Sequence, residues 1–233
     1  MAPASSEFVF QPEALPSLAV HGIDQRFPVR RIYCVGRNYA DHAREMGADP
    51  AREPPFFFTK PANAIVTDGR PVHYPPRTGS LHHEIELVVA IGTGGAGIAV
   101  ANAWNHVFGF AVGLDLTRRD LQSAAKQAGK PWDTGKAFDE SAPLSELRHI
   151  QETGRMERGR IWLRVNGELR QDADVSELIW SIPEIIAELS TLFTLAPGDL
   201  VFTGTPAGVS ALQRGDVLEG GVDGLAGLHL TII

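Results

Sequence analysis

One cysteine, Cys34, is all that the 233-residue chain contains, so no intrachain disulfide can staple it and neither a Cys-rich zinc site nor a CxxC redox pair exists. A basic surplus is also missing. The formal net charge of −7 argues against a general nucleic-acid or anionic-membrane binder. It still permits an acidic small-molecule substrate, because a local cation or a few arginines can invert the field in one cleft. No run approaches the ~20 apolar residues of a membrane-spanning helix. The opening Met-Ala-Pro-Ala-Ser-Ser-Glu has no basic region followed by an apolar stretch, so no secretory leader is expected. H-E-x-x-H, G-x-S-x-G, internal repeats and low-complexity segments are absent as well. A soluble, cytoplasmic protein with neither nucleic-acid nor membrane partners is the expectation. Its 43% hydrophobic and 21% charged content suits one large domain or a core with a small appendage.

Turn and capping signals divide the chain into short elements. Residues 1–28, rich in Pro, Ala and Ser, read as a lead-in segment, loose or folded into a short β-hairpin. Arg31–Val35 is a β-like run ending at Gly36, and Asn38–Met46 reads as a short helix stopped by Gly47. Phe56-Phe57-Phe58 predicts a buried strand that ends at Lys60-Pro61. Val107–Leu116 predicts another, with Phe108, Phe110, Val112, Leu114 and Leu116 on a bulky face. Val107, Gly109, Ala111, Gly113 and Asp115 form the other face, small until it reaches an acid, which predicts room for a ligand beside Asp115. Thr117 is expected to cap a following helix with Asp120 at its third position, and Gly129 to end it. Asn166-Gly167 signals a hairpin, and Ser181-Ile-Pro-Glu184 is a capping box opening a helix to about Phe193. Beyond Pro197-Gly198, short strands separated by glycines are expected. The sum is an α+β, β-rich fold with a few short helices.

Glu84 and Glu86 carry the most chemistry. Two residues apart on a strand, they share a face opposite His83, Ile85, Leu87, Val89 and Ile91. Adjacent carboxylates repel, and a hard divalent cation would compensate; the alternative is two solvated acids on the wet face of an antiparallel strand. If the Asp115 strand is a neighbour, three carboxylates converge. His42 and Glu45, spaced i, i+3, can form an imidazole oriented by a carboxylate, or be two ordinary exposed residues. Arg119, Gln122 and Lys126 share one side of the predicted helix, with Lys136 downstream: a solvated basic face, or donors for a carboxylate or developing oxyanion. His82 is a candidate outer support for a metal, and His83 a core or edge residue. His21, His73, His106, His149 and His229 have no readable partners.

Gly92-Thr-Gly94-Gly-Ala-Gly97 matches the dinucleotide-binding pattern, which keeps an NAD-dependent oxidoreductase open as a competing reading. Against it stand two acids on the preceding strand and only nine residues before the next one. These glycines are expected to form a turn.

Taken together, Tyr33-Cys-Val-Gly-Arg-Asn-Tyr-Ala-Asp-His42, Leu81-His-His-Glu-Ile-Glu86, Gly113-Leu-Asp-Leu-Thr-Arg-Arg-Asp-Leu-Gln122 and Phe202-Thr-Gly-Thr-Pro-Ala-Gly-Val209 resemble the fumarylacetoacetate hydrolase family. The resemblance implies a mixed β-roll or sandwich, with residues 29–233 as the catalytic domain, usually as a homodimer. It implies Glu84, Glu86 and Asp115 as ligands of Mg²⁺ or Mn²⁺, with Ca²⁺ possible in its place. It also implies a water-activating His42–Glu45 pair on a segment able to close as a lid, and Lys136 stabilising charge near the cleaved bond. Arg37, Arg119, Gln122 and Thr205 would hold substrate. The larger family members carry another acidic ligand just before the His motif, where this chain reads Cys34-Val-Gly-Arg-Asn-Tyr39. That departure points to the small acylpyruvate-type members. The implied reaction is hydrolysis of fumarylpyruvate or a related acylpyruvate, with oxaloacetate decarboxylation or tautomerisation, and a catalytically silent binding protein, as alternatives. A second carboxylate on the substrate would call for a distant cation, for which Arg44, Arg52 and Arg77 are candidates.

Overall fold

The computed structural model describes residues 8–45 and 53–233. Its centre is a six-stranded mixed sheet in the order Arg148–His149, Val107–Leu114, Ile85–Ile91, Asp199–Phe202, Arg31–Gly36, Phe56–Lys60. All neighbours pair antiparallel except the 199–202 and 31–36 strands, which run parallel. Both faces are covered. On one, Leu87, Val89, Val112, Leu114 and Val201 pack with Ile161, Leu163, Leu218 and Leu230 of a four-stranded antiparallel sheet and with Ile185, Ile186 and Leu189 of the helix Ile182–Leu192. On the other, Ile32, Cys34, Val88, Ala90, Leu200 and Phe202 pack with Leu18, Val20 and Phe27 of the hairpin Ser17–Val20 and Ile23–Pro28, and with Leu144 and Leu147. The lead-in segment thus contributes a hairpin to the core, while Phe8, Val9 and Phe10 remain exposed.

Local signals were accurate where they were chemical. Asn166 and Gly167 both take positive φ and turn Arg160–Val165 back into Glu168–Asp174. Glu184 accepts from the Ser181 N–H and hydroxyl, closing the capping box of the 182–192 helix. The 56–60 strand, expected to be buried, is an edge strand with Phe56 exposed. The short helix begins at Ala40; its expected end at Met46-Gly47 lies outside the described residues.

Two expectations are corrected, and one competing reading falls. The 107–114 strand ends two residues early, and a bulge opposite Ala90 and Ile91 turns Phe108 onto the Ala111 face and Val107 onto the Phe110 face. Thr117 is not a cap: its hydroxyl donates to the Asp115 carbonyl, and the helix Arg119–Gln127 starts after Arg118 without a side-chain cap. The glycines at 92–97 do form a turn, but the strand before them runs antiparallel to both neighbours, and a 3-10 segment Val100–His106 follows. A dinucleotide crossover needs a parallel pair and a covering helix, so the oxidoreductase reading falls. No described helix is long and apolar enough to cross a membrane.

Candidate active site

Register brings the carboxylates together. Ile85 pairs with Leu114 and Glu86 with Gly113, and the Asp115 N–H donates to the Glu84 carbonyl at 2.9 Å. Glu84 and Asp115 are therefore held side by side just past the paired strands, with Glu86 one step inward. One carboxylate oxygen from each lies within 4.8 Å of the others, and all three side chains are buried. The wet-face alternative is excluded. Both faces of the 85–91 strand are covered, and that strand is wholly buried.

The predicted space beside Asp115 has a different origin from its small neighbours. A Cβ on Gly113 would meet the Phe202 ring and Val88 at 2.7 Å, and one on Gly109 would meet the Arg148 carbonyl at 2.1 Å. Those small residues admit protein. The ligand space opens only beyond Leu114, where pairing ends.

Three cations answer the three acids. Lys136 ends the short helix Asp133–Lys136, and its Nζ donates to Glu84 Oε2 at 2.7 Å, Asp115 Oδ2 at 2.6 Å and Thr117 Oγ1 at 2.7 Å. Arg119 donates to the other Glu84 oxygen and, at 2.5 Å, to Gln122 Oε1. Lys60, buried at the end of its strand, places Nζ 2.8 Å from Asp115 Oδ1 and donates to the carbonyls of Leu116 and Lys136. Among the described residues Glu86 meets no cation directly; the Gly204 N–H donates to its Oε2 at 2.7 Å. Gly204 has φ +105°, and a Cβ there would lie 2.7 Å from the Asn38 Cβ, so only glycine presents that N–H.

This arrangement polarises the two glutamates in opposite directions. Burial raises the Glu84 carboxyl, but Lys136 and Arg119 outweigh it and hold the group well below the usual carboxylate range. Burial pushes Glu86 up, and the charges of Asp115 and Glu84 add to the rise. Burial opposes the charge on Lys136, yet Asp115 and Glu84 keep it protonated above its ordinary value.

His42 lies buried on the helix Ala40–Glu45, with Nδ1 3.2 Å from Glu45 Oε2. Glu45 in turn accepts the Gly208 N–H at 3.2 Å. The 203–208 loop therefore touches both the carboxylate cluster and the His–Glu pair. Asn38 anchors it, donating to the Thr203 carbonyl at 2.8 Å and to the Trp180 carbonyl at 2.9 Å.

A cavity of about 370 Å³ is lined by Glu84, Glu86, Asp115, His42, Lys136 and Thr205. Arg37, Arg119 and Gln122 line it too, so every residue that the family resemblance assigns to metal, catalysis or substrate faces it except Glu45, which sits behind His42. Arg119, Gln122 and Lys126 do share a wall, but not as a solvated face: Gln122 is buried and Arg119 is paired. His82 does not support the carboxylates. It bonds to Ser80 Oγ, and burial, reinforced by Arg119, lowers its pKa to about 4. His83 is a core residue, bonded to Gln171 and Ser210. The other histidines have partners that were unreadable, as His21 with Glu146 and His73 with Glu140. Arg44 pairs with Asp41 and, like Arg77, does not line the cavity; Arg52 lies outside the described residues. Lys60, Gln171 and the Phe56–Trp132 ring pair were missed. A lysine closing the run Phe-Phe-Phe-Thr-Lys was the one available signal, and it reads equally as a strand end.

The fold and cleft define an enzyme whose buried carboxylates can hold a cation beside a His–Glu pair. The family model described as "Fumarylacetoacetate (FAA) hydrolase C-terminal" matches residues 31–233, and the chain belongs to the fumarylacetoacetate hydrolase family. A fumarylpyruvate hydrolase of Ralstonia sp is 47% identical over 79% of this chain and 95% of the relative. The mitochondrial oxaloacetate tautomerase FAHD1 of Rattus norvegicus is 42% identical over 87% of this chain and 91% of its own. A crystal structure of fumarylpyruvate hydrolase from Pseudomonas aeruginosa in complex with Mn²⁺ and pyruvate is 54% identical, covers 97% of this chain and 99% of its own, and superposes with a TM-score of 0.96.

Proposed function

We propose that the protein hydrolyses the carbon–carbon bond of a 2,4-diketo acid, fumarylpyruvate or a related acylpyruvate, to pyruvate and a carboxylic acid such as fumarate. One observation carries this reading: the three-carboxylate cluster and the His42 of a His–Glu pair line a single cavity. The 47% identical fumarylpyruvate hydrolase supports the substrate class.

The donor set fits a hard divalent cation, Mg²⁺ or Mn²⁺, with Ca²⁺ an allowed replacement. Among the described residues Glu86 has no cationic partner of its own, and Asp115 Oδ1 is ion-paired with Lys60 at 2.8 Å but accepts no hydrogen bond. Glu84, Glu86 and Asp115 would hold the ion. When bound, it supplies Lewis acidity to the oxygens of a chelating 2-keto acid.

The remaining work belongs to side chains. Glu45 takes the Nδ1 hydrogen bond of His42, leaving Nε2 as the nitrogen that removes a proton from water. The resulting hydroxide adds to the distal acyl carbonyl. The bond between that carbon and the methylene breaks, its electron pair leaves with the pyruvate enolate, and His42 returns the proton to the methylene carbon. Lys136 and Arg119 keep positive charge at the cavity floor, where the enolate charge appears. Arg37, Gln122 and Thr205 position the substrate. Family membership further supports a homodimer, which light scattering on the purified protein checks.

Pyruvate release from acetylpyruvate, fumarylpyruvate, maleylpyruvate and oxaloacetate, with Mg²⁺ or Mn²⁺ and then with chelator, tests the reading. His42→Ala should lower acylpyruvate hydrolysis ~10²-fold or more. Failure to release pyruvate from any acylpyruvate would overturn it. Oxaloacetate tautomerisation is the second reading, favoured by the 42% identical rat relative. It consumes no water and yields no pyruvate, so the loss of enol absorbance without product separates the two.

A further inference from the structure

The charges of the cluster cancel: Glu84, Glu86 and Asp115 against Lys60, Lys136 and Arg119. A divalent cation then leaves an excess of two positive charges. A pyruvoyl carboxylate and its developing enolate neutralise that excess. A second carboxylate at the far end of the substrate finds no counter-charge in the cluster, so a dicarboxylic substrate needs a separate cation.

We propose that Lys126 is that cation, forming with the Phe56 and Trp132 rings a subsite for the distal carboxylate of a dicarboxylic 2,4-diketo acid. The inference rests on the diketo-acid reading above. Arg119, Gln122 and Lys126 occupy positions i, i+3 and i+7 on the 119–127 helix, and all three line the cavity. At 1.5 Å per residue, Lys126 stands about 10 Å along the axis from Arg119, which holds Glu84. A seven-carbon 2,4-diketo diacid places its two carboxyl carbons roughly 7–8 Å apart when extended, within the reach of a lysine side chain from that position. Among the described residues the Lys126 ammonium makes no hydrogen bond or ion pair, whereas Lys60, Lys136 and Arg119 are all engaged by the carboxylates. The cavity also has an apolar wall: Phe56 and Trp132 meet edge-to-face at 5.3 Å and line it together. Such a wall suits a planar enoyl link better than a hydrated polar one.

A binding titration that needs no turnover tests this. In the His42→Ala background with Mn²⁺, dissociation constants are measured by calorimetry for fumarylpyruvate and for crotonylpyruvate, which carries a methyl group in place of the distal carboxylate. The diacid is expected to bind at least tenfold more tightly, and adding Lys126→Met should collapse that ratio toward one. Lys126 is exposed, so its replacement leaves the core intact, which circular dichroism verifies. A ratio near one in the first variant, or a ratio that survives Lys126→Met, overturns the subsite. If instead the ratio collapses as expected while the unmutated enzyme releases no pyruvate, the hydrolase reading fails and the subsite stands.

Discussion

Lys60 Nζ lies 2.8 Å from Asp115 Oδ1, and both side chains are almost wholly buried. Removing Lys60 strips a buried carboxylate of one of its two cations and leaves it only Lys136, which Glu84 already shares. Lys60→Met should therefore lower stability by about 3–5 kcal/mol, measured by urea unfolding in the presence of chelator. Lys60→Met with Asp115→Asn should recover part of that loss. A single variant as stable as the parent would show that the pair does not hold the site together.

Glu45 touches His42 on one side and the Gly208 N–H on the other. Glu45→Gln keeps an acceptor for Gly208 but removes the negative charge that orients the imidazole. Hydrolysis should fall by ~10²-fold in kcat, with KM changed far less. A raised KM at normal kcat would assign Glu45 to substrate binding instead.

Glu86 sets the pH response. Burial, then Asp115 and Glu84, raise its pKa above the unfolded value, so its contribution to stability is complete below the unfolded value and is lost as pH rises through the folded one. Glu84 is shifted the other way, and its contribution changes only below the unfolded carboxylate range. In chelator, Tm should decline as pH rises above the unfolded carboxylate range, on account of Glu86. A divalent ion displaces that proton, so the Tm gain from Mn²⁺ should be larger at the higher pH. A gain independent of pH would remove Glu86 from the metal site.

Gln171 is fully buried and uses both ends of its amide. Its Nε2 donates to Thr205 Oγ1 and to the Pro206 carbonyl, each at 2.8 Å, while Oε1 accepts from the Ile85 N–H at 3.1 Å and faces His83 Nδ1 at 2.9 Å. It thus ties the carboxylate strand to the loop that carries Thr205. Gln171→Leu should cost about 2–4 kcal/mol by leaving those groups unpaired, and should raise KM as Thr205 loses its anchor. Gln171→Glu keeps the acceptor and loses both donors, so its unfolding free energy should fall between the two.

How far the sequence revealed the site depended on distance along the chain. Glu84 with Glu86, and His42 with Glu45, are local pairs whose geometry follows from strand and helix periodicity. Asp115 needed one antiparallel pairing, and the open face of its strand was the clue, although the Phe202 ring, not a ligand, fills much of that openness. Lys60 and Gln171 act across 55 and more residues, Lys60 on Asp115 and Gln171 on Ile85 and His83. Nothing in their own neighbourhoods marks them. The Thr117 cap failed for a related reason: a hydroxyl one turn from a helix start had a stronger use, accepting from a buried ammonium 19 residues away.

The 199–202 strand lies between the 85–91 and 31–36 strands, joining them across the middle of the sheet. On the ribosome this order has a cost. Ile32 and Cys34 emerge early, Val88 and Ala90 later, and neither pair of segments can meet until Leu200 and Phe202 have left the exit tunnel. The nascent chain therefore carries two half-sheets with open inner edges through most of its synthesis, the kind of surface that chaperones cover and that aggregates when they do not. Closure of this sheet is expected to wait for residues 199–202, and a nascent chain stalled before residue 199 should remain protease-sensitive across its first hundred residues.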